Sequence, residues 1–140
     1  MERNWSEVRS EVKDFVENEV YPAESILERR DEESSKKLSE LMQLSKDKNL
    51  WALGHPKDIG GQGMPFMENV YVNEVVGRSS PSMVALGTHS LQDSIMLREF
   101  ASKTWRDTYL EPLVAGEIFP SFAMTEPDIS SSDPTQLQTK

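Results

Sequence analysis

The residues best suited to chemistry lie near the C-terminus, between Phe122 and Asp133. Phe122-Ala123-Met124 is an apolar run that could begin a strand, and Thr125-Glu126-Pro127 then turns into a loop rich in hydroxyl groups. An apolar strand end that leads into backbone N–H groups and Ser/Thr hydroxyls is well suited to hold a flat ring and its phosphates. Composition alone leaves open a second interpretation, a disordered tail, because Ser, Asp, Pro and Gln would also produce one.

Other catalytic chemistries find little support in the chain. His55 and His89 are the only histidines, and neither has a second ligand at metal-site spacing. His55 precedes a proline and is predicted to be a turn residue, whereas His89 is predicted to line an interior or a cavity. No Gly-x-Ser-x-Gly motif occurs, and the glycines of residues 60–63 lack the Gly-Lys-Ser/Thr ending of a phosphate-binding loop. We therefore expect no metal site and assign no catalytic residue.

The composition is that of one acidic globular domain. The 140 residues are 36% hydrophobic and 28% charged, and 24 acidic against 15 basic residues give a net charge of −9. Such a surface repels nucleic-acid phosphates and anionic membranes. Cysteine is absent, and the sequence contains neither a long apolar run nor a secretory signal. We expect a cytoplasmic or organelle-matrix protein with no nucleic-acid partner and no membrane insertion.

Apolar residues at helical spacing predict five to six helices before Phe122. The first is expected from Trp5 to Val20, with Asn4 as its cap and Pro22 at its end. The charged residues 28–37 are expected to form an exposed connection.

A second helix is expected from Leu38 to near Asn49, and a third begins at Pro65. The third is expected to present one shared face, formed by Met67, Val70, Tyr71, Glu74 and Val75. Ser80-Pro81 opens a helix that carries the apolar residues from Met83 to Leu97, and Ser102 caps the last helix. The predicted fold is an all-α, up-and-down helical bundle with a short C-terminal strand-like segment.

Several motifs along the chain resemble those of the acyl-CoA dehydrogenase family. Members carry Ala/Val-x-Thr-Glu-Pro, a short spacer and Gly-Ser-Asp, and residues 123–127 followed by Ser131-Ser132-Asp133 resemble this stretch. Ser131 takes the glycine position, and the spacer is one residue longer. Residues 109–118 (Tyr-Leu-Glu-Pro-Leu-Val-Ala-Gly-Glu-Ile) and the loop of residues 59–64 also resemble family motifs.

The resemblance implies FAD as cofactor and α,β-dehydrogenation of acyl-CoA thioesters as reaction. It places Phe122, Met124 and Thr125 against the flavin ring. It also implies that Ser131 and Ser132 contact the cofactor, and that Ser132 contacts the coenzyme A part of the substrate. The helix from Met83 to Leu97 would help to wall the acyl pocket.

By the same resemblance, residues 1–120 form the N-terminal helical domain and residues 121–140 the truncated start of a middle β-domain. The family's catalytic glutamate lies in a later domain, so the chain alone is expected to be inactive. Expected partners are an acyl-CoA substrate, an electron acceptor, and either further copies of the chain or a complementing chain. Two alternatives remain: a helical interaction module or subunit that complements a partner carrying the remaining domains, and an unrelated helical bundle with a disordered tail.

Overall fold

A computed structural model describes residues 3–130 and 133–139. Within these ranges the chain contains α-helices, 3₁₀ turns and π-helical turns, and no strand, which confirms the predicted all-α fold. The helices are α1 (Trp5–Phe15), α2 (Glu24–Leu27), α3 (Glu32–Asp47), α4 (Phe66–Val76), α5 (Ser80–Ala85), α6 (Leu91–Phe100), α7 (Lys103–Trp105) and α8 (Glu111–Ala115). No helix in the described residues is long and apolar enough to cross a membrane.

The first helix buries the apolar stripe that its spacing predicts. The Asn4 side chain accepts a hydrogen bond from the Ser6 amide at 3.2 Å, which satisfies a donor at the start of α1. The first helix was predicted to end at Pro22, but the helical path continues beyond it. It continues from α1 through a π turn (Val16–Val20), a 3₁₀ turn (Tyr21–Ala23) and α2. Pro22 lies at the start of the 3₁₀ turn. A backbone N–H at this position has no partner within the turn, so the missing N–H of proline costs no hydrogen bond.

The charged segment of residues 28–37 is only partly a connection, because α3 already begins at Glu32. The Asp31 carboxylate caps α3 by accepting from the Ser34 amide at 2.8 Å. Arg29 donates to Asp31 and forms an i,i+4 salt bridge with Glu33 at 2.7 Å. The charge run thus indicates an exposed surface but not the absence of a helix, since Glu and Lys are good helix formers.

The side of α4 that enters the core is not the side on which most of the five residues predicted to share a face lie. The helix buries Asn69, Val72, Val75 and Val76, and of the five residues predicted to share its face only Val75 lies inside. Met67, Val70, Tyr71 and Glu74 are exposed. Because α4 is apolar on two sides, periodicity could not decide which side meets α1.

The predicted helix from Met83 to Leu97 is interrupted. Here α5 ends at Ala85, and Gly87 adopts a left-handed conformation (φ 70°) before a 3₁₀ turn leads into α6. A Cβ at Gly87 would lie 2.8 Å from the Trp51 ring, so both the backbone and the close packing require glycine. The break separates α5, which buries Ser82 and Ala85, from α6, which buries only Ser94.

The core collects apolar side chains from the first half of the fold. Its largest fully buried members are Val8, Val12, Val16, Val20, Leu41, Leu50, Leu53, Val72, Val75, Val76 and Leu86. Leu50 and Leu53 come from the short segment between α3 and the loop of residues 54–64, the glycine loop. The second half, α6 to α8, lies against one side of this core and carries the C-terminal segment.

Candidate functional site

The C-terminal segment leaves the bundle at an anchored point, the end of α8. Gly116 ends the helix in a left-handed conformation (φ 75°), and a Cβ there would lie 2.6 Å from the Trp51 ring. The Trp51 indole donates from Nε1 to the Val114 carbonyl at 2.8 Å. Lys46 of α3 donates to the Ala115 carbonyl at 2.8 Å. These contacts fix where residues 117–130 begin their course.

Beyond Gly116 the chain runs without helix or strand as far as Met124. The Phe119 ring contacts the His89 ring, with centroids 5.4 Å apart and planes at 33°. This contact holds the segment against the 3₁₀ turn (Thr88–Ser90) that precedes α6. The strand-like residues Phe122–Met124 therefore start from a defined place, although they pair with no other strand in the described part of the chain.

The predicted cofactor residues Phe122, Met124 and Thr125 lie together on this segment and face outward. The Phe122 side chain is 65% exposed and that of Met124 is 40% exposed, and Thr125 is exposed as well. Ser131 and Ser132 lie outside the described residues. Phe122, Met124 and Thr125 thus form an accessible surface that carries apolar groups and a hydroxyl.

The two acidic residues of the motif turn toward the chain's own backbone. The Glu126 carboxylate accepts from the amides of Gln138 and Thr139, and the Asp133 carboxylate accepts from the Thr135 amide at 2.9 Å. The Thr139 hydroxyl and then these amides lower the pKa of Glu126, and the side chains of Thr135 and Gln136 and then the Thr135 amide lower that of Asp133, because they stabilise the charged form. The sequence alone indicates no role for either residue.

His55, which was predicted to be only a turn residue, is buried beside Ser90. The His55 side chain is 1% exposed, and its Nε2 lies 3.1 Å from the Ser90 hydroxyl oxygen. Its Nδ1 has no hydrogen-bond partner among the described residues. Burial, with a smaller contribution from His89, lowers the pKa of His55 from 6.5 to about 4. His55 therefore joins the glycine loop to the start of α6 as a neutral imidazole.

His89 is half-buried, which agrees with the prediction that it lines an interior or a cavity. Its Nδ1 lies 3.4 Å from the Met83 carbonyl, and burial lowers its pKa. The glycine loop meets α6 at a second point, where the Arg98 guanidinium donates to the Asp58 carboxylate at 2.6 Å. The hydrogen bond and charge of Arg98 lower the pKa of Asp58. Glycine loop, α6 and C-terminal segment thus form one connected unit.

An open apolar groove of about 500 Å³ runs between α6, α7 and residues 118–121. This volume is in the range of small-molecule pockets. Phe100 is 85% exposed at its edge, and Trp105 contacts Tyr109 with ring centroids 5.3 Å apart. The groove adjoins the segment that carries the predicted site residues. The carboxylate of Asp93 also lines it.

Comparisons with known proteins identify the family of the helical region. Residues 4–117 match the family model "Acyl-CoA dehydrogenase, N-terminal domain". Acyl-CoA dehydrogenase family member 11 of Gallus gallus is 29% identical over 97% of this chain, and mitochondrial isovaleryl-CoA dehydrogenase of Bos taurus is 34% identical over 66% of it. The chain covers 18% and 22% of these two relatives, respectively.

A solved structure of a proposed acyl-CoA dehydrogenase from Mycobacterium abscessus has a similar fold. The two chains superpose with a TM-score of 0.81 and 26% sequence identity, over 96% of this chain and 37% of the other. Because the family model matches most of the chain and the fold agrees with it, the chain belongs to the acyl-CoA dehydrogenase family and carries its N-terminal helical domain.

Proposed function

We propose that these 140 residues are the N-terminal part of an FAD-dependent enzyme that dehydrogenates acyl-CoA thioesters between their α and β carbons. The single observation that carries the proposal is the position of the Phe122–Thr125 segment. It leaves the family's helical domain at a fixed point and presents apolar and hydroxyl groups outward. The natural partners are then an acyl-CoA substrate and an electron acceptor.

The chemistry of this segment fits FAD. Phe122 and Met124 offer exposed apolar surface for a flat ring, and the hydroxyl of Thr125 follows directly as a polar group for the ring's edge. The carboxylates of Glu126 and Asp133 are engaged by backbone amides, so their charge is compensated locally rather than facing a phosphate. When bound, the flavin supplies the redox chemistry by accepting hydride.

The chain's own residues would bind and orient in this reaction. Phe122, Met124 and Thr125 would hold the ring, and Ser131 and Ser132 would contact the cofactor. Ser132 would also contact the coenzyme A part of the substrate. The α5–α6 region from Met83 to Leu97 would wall the acyl pocket. Residues 1–120 would be the helical domain, and residues 121–140 the start of a β-domain.

We further propose that a polypeptide of these residues alone is inactive. A base that removes an α-proton needs a position shielded from water, and no carboxylate is buried in residues 3–130 and 133–139. The purified 140-residue polypeptide should therefore fail to reduce a dye acceptor when it is mixed with FAD and acyl-CoA. An active preparation would refute this part of the proposal.

A chimera tests the function itself. Residues 1–140 would replace the matching region of the Mycobacterium abscessus protein, with the parent protein as control. We expect a yellow protein whose flavin is reduced by an acyl-CoA of a length that the parent accepts. Circular dichroism and size-exclusion chromatography would establish folding. The proposed reaction would be refuted by a folded chimera that binds FAD but whose flavin is not reduced by any acyl-CoA. The parent's flavin must be reduced in the same assay.

One observation favours a second candidate, a helical module that associates with another copy or with a complementing chain. The outer side of α4 exposes Phe66, Met67, Val70 and Tyr71, with Phe66 77% exposed. If this face binds a protein, the 140-residue polypeptide should be dimeric or larger in light scattering. The double variant Phe66→Ser with Tyr71→Ser should then be monomeric. A monomeric parent polypeptide that binds no complementing chain would argue against this candidate.

A further inference from the structure

Within the Thr-Glu-Pro motif, the Glu126 side chain contacts residues far along the chain. Its Oε1 accepts from the Thr139 amide at 2.8 Å and from the Thr139 hydroxyl at 2.5 Å. Its Oε2 accepts from the Gln138 amide at 3.0 Å. Twelve and thirteen residues separate these partners from Glu126. Both carboxylate oxygens thus engage one short stretch of backbone.

We propose that Glu126 is a positioning residue whose carboxylate clamps residues 138–139 against the Phe122–Pro127 segment and so sets the direction of the ligand-binding face. The inference rests on the proposed function, because it assigns Glu126 a task within the flavin-binding segment. In this proposal Glu126 bonds to the chain itself and not to the cofactor or the substrate. It acts through the backbone of its neighbour Thr125.

The geometry distinguishes Glu126 from the other acidic residue of the motif. Asp133 accepts from the Thr135 amide at 2.9 Å and from the Gln136 side chain at 2.7 Å, both within three residues. These local bonds shape a turn and connect no distant parts of the chain. Glu126 instead connects its own segment to residues 138–139, twelve and thirteen positions later in the chain. Pro127 follows directly, and its fixed φ keeps the backbone beside the clamp stiff.

A carboxylate suits this task better than an amide. It offers acceptor oxygens on both sides, and each faces a backbone N–H. A glutamine would have to place its NH₂ group against one of these donors, most simply the Gln138 amide. Hydrogen bonds to a charged acceptor are also stronger than those to a neutral one. We therefore expect Glu126→Gln to weaken the clamp and Glu126→Ala to abolish it.

The clamp can be measured in the 140-residue polypeptide without cofactor. In two-dimensional amide NMR, the Gln138 and Thr139 N–H signals should titrate together as Glu126 is protonated. Their midpoint should lie below the ordinary value for Glu, since the hydrogen bonds lower the pKa of Glu126. In Glu126→Ala both signals should lose this titration. The matched control is Asp128→Asn, which removes an exposed carboxylate two residues further on and should leave both titrations unchanged.

Two amides that titrate independently, or that titrate alike in Glu126→Ala, would overturn the clamp. Core methyl signals should be identical in all variants, because Glu126 lies outside the core. In the chimera, Glu126→Ala should bind FAD about tenfold more weakly, the scale of one lost charged hydrogen bond, with Glu126→Asp between the two. Unchanged FAD affinity would refute the positioning role. An intact clamp in a chimera whose flavin no acyl-CoA reduces would refute only the proposed function.

Discussion

The buried imidazole of His55 makes the stability of this domain depend on pH in a specific window. The side chain is 1% exposed, and burial is the main reason that its pKa falls from 6.5 to about 4. One pKa unit corresponds to about 1.4 kcal/mol, so the shift represents about 3 kcal/mol of unfolding free energy. This is a large share of the roughly 5–15 kcal/mol by which such domains are stable.

The sign follows from which state binds the proton. Below pH 6.5 the unfolded chain protonates His55, whereas the folded chain does not do so until the pH approaches 4. The contribution of the neutral His55 side chain to the free energy of unfolding is therefore complete above pH 6.5 and decreases as the pH falls toward 4. At pH 4.5 we expect a loss of roughly 2–3 kcal/mol relative to pH 7.5 from this residue alone.

Urea unfolding followed by far-UV circular dichroism at pH 7.5, 6.5, 5.5 and 4.5 measures this loss. The reference is His55→Gln, which cannot titrate and whose amide can still reach the Ser90 hydroxyl. Subtracting its curve removes the contribution of the carboxylates, which titrate in both proteins. The stability advantage of the native protein over the variant should shrink by roughly 2–3 kcal/mol between pH 7.5 and 4.5. A difference that stays constant across this range would refute the reasoning.

Two further predictions concern stability, each with a matched control. Gly116→Ala should destabilise the domain by about 2 kcal/mol or more, because the residue has φ 75° and a Cβ would lie 2.6 Å from the Trp51 ring. Gly77→Ala, at φ −70°, should change the unfolding free energy by less than about 0.5 kcal/mol, and equal effects would contradict the packing around Trp51. Val72→Ala, on the buried face of α4, should cost about 2 kcal/mol, whereas Val70→Ala, 42% exposed, should cost less than about 0.5 kcal/mol. Equal losses in urea unfolding would show that the orientation of α4 is wrong.

The first helix and its cap could be predicted from local signals. Asn4 and the valine stripe of α1 depend only on neighbours along one helix, and both are as expected. Ser102 was predicted in the same way, and its hydroxyl accepts from the Trp105 amide at 3.3 Å.

The orientation of α4 and the break at Gly87 could not be predicted in this way. Both sides of α4 are apolar, and the choice between them depends on which side fits against α1. The break between α5 and α6 depends on the Trp51 ring, which lies 36 positions earlier in the chain and comes close only in the folded state. Local propensity contains no information about such distant contacts.

Sequence alone determined the family and the all-α architecture, because both depend on short motifs and on helical periodicity, which neighbouring residues carry. It also located the hydroxyl-bearing segment after Met124. Only the tertiary structure showed that His55 is buried beside Ser90, and that Glu126 binds the backbone of residues 138–139. The reason is physical: desolvation and hydrogen bonding between distant residues exist only once the chain has folded.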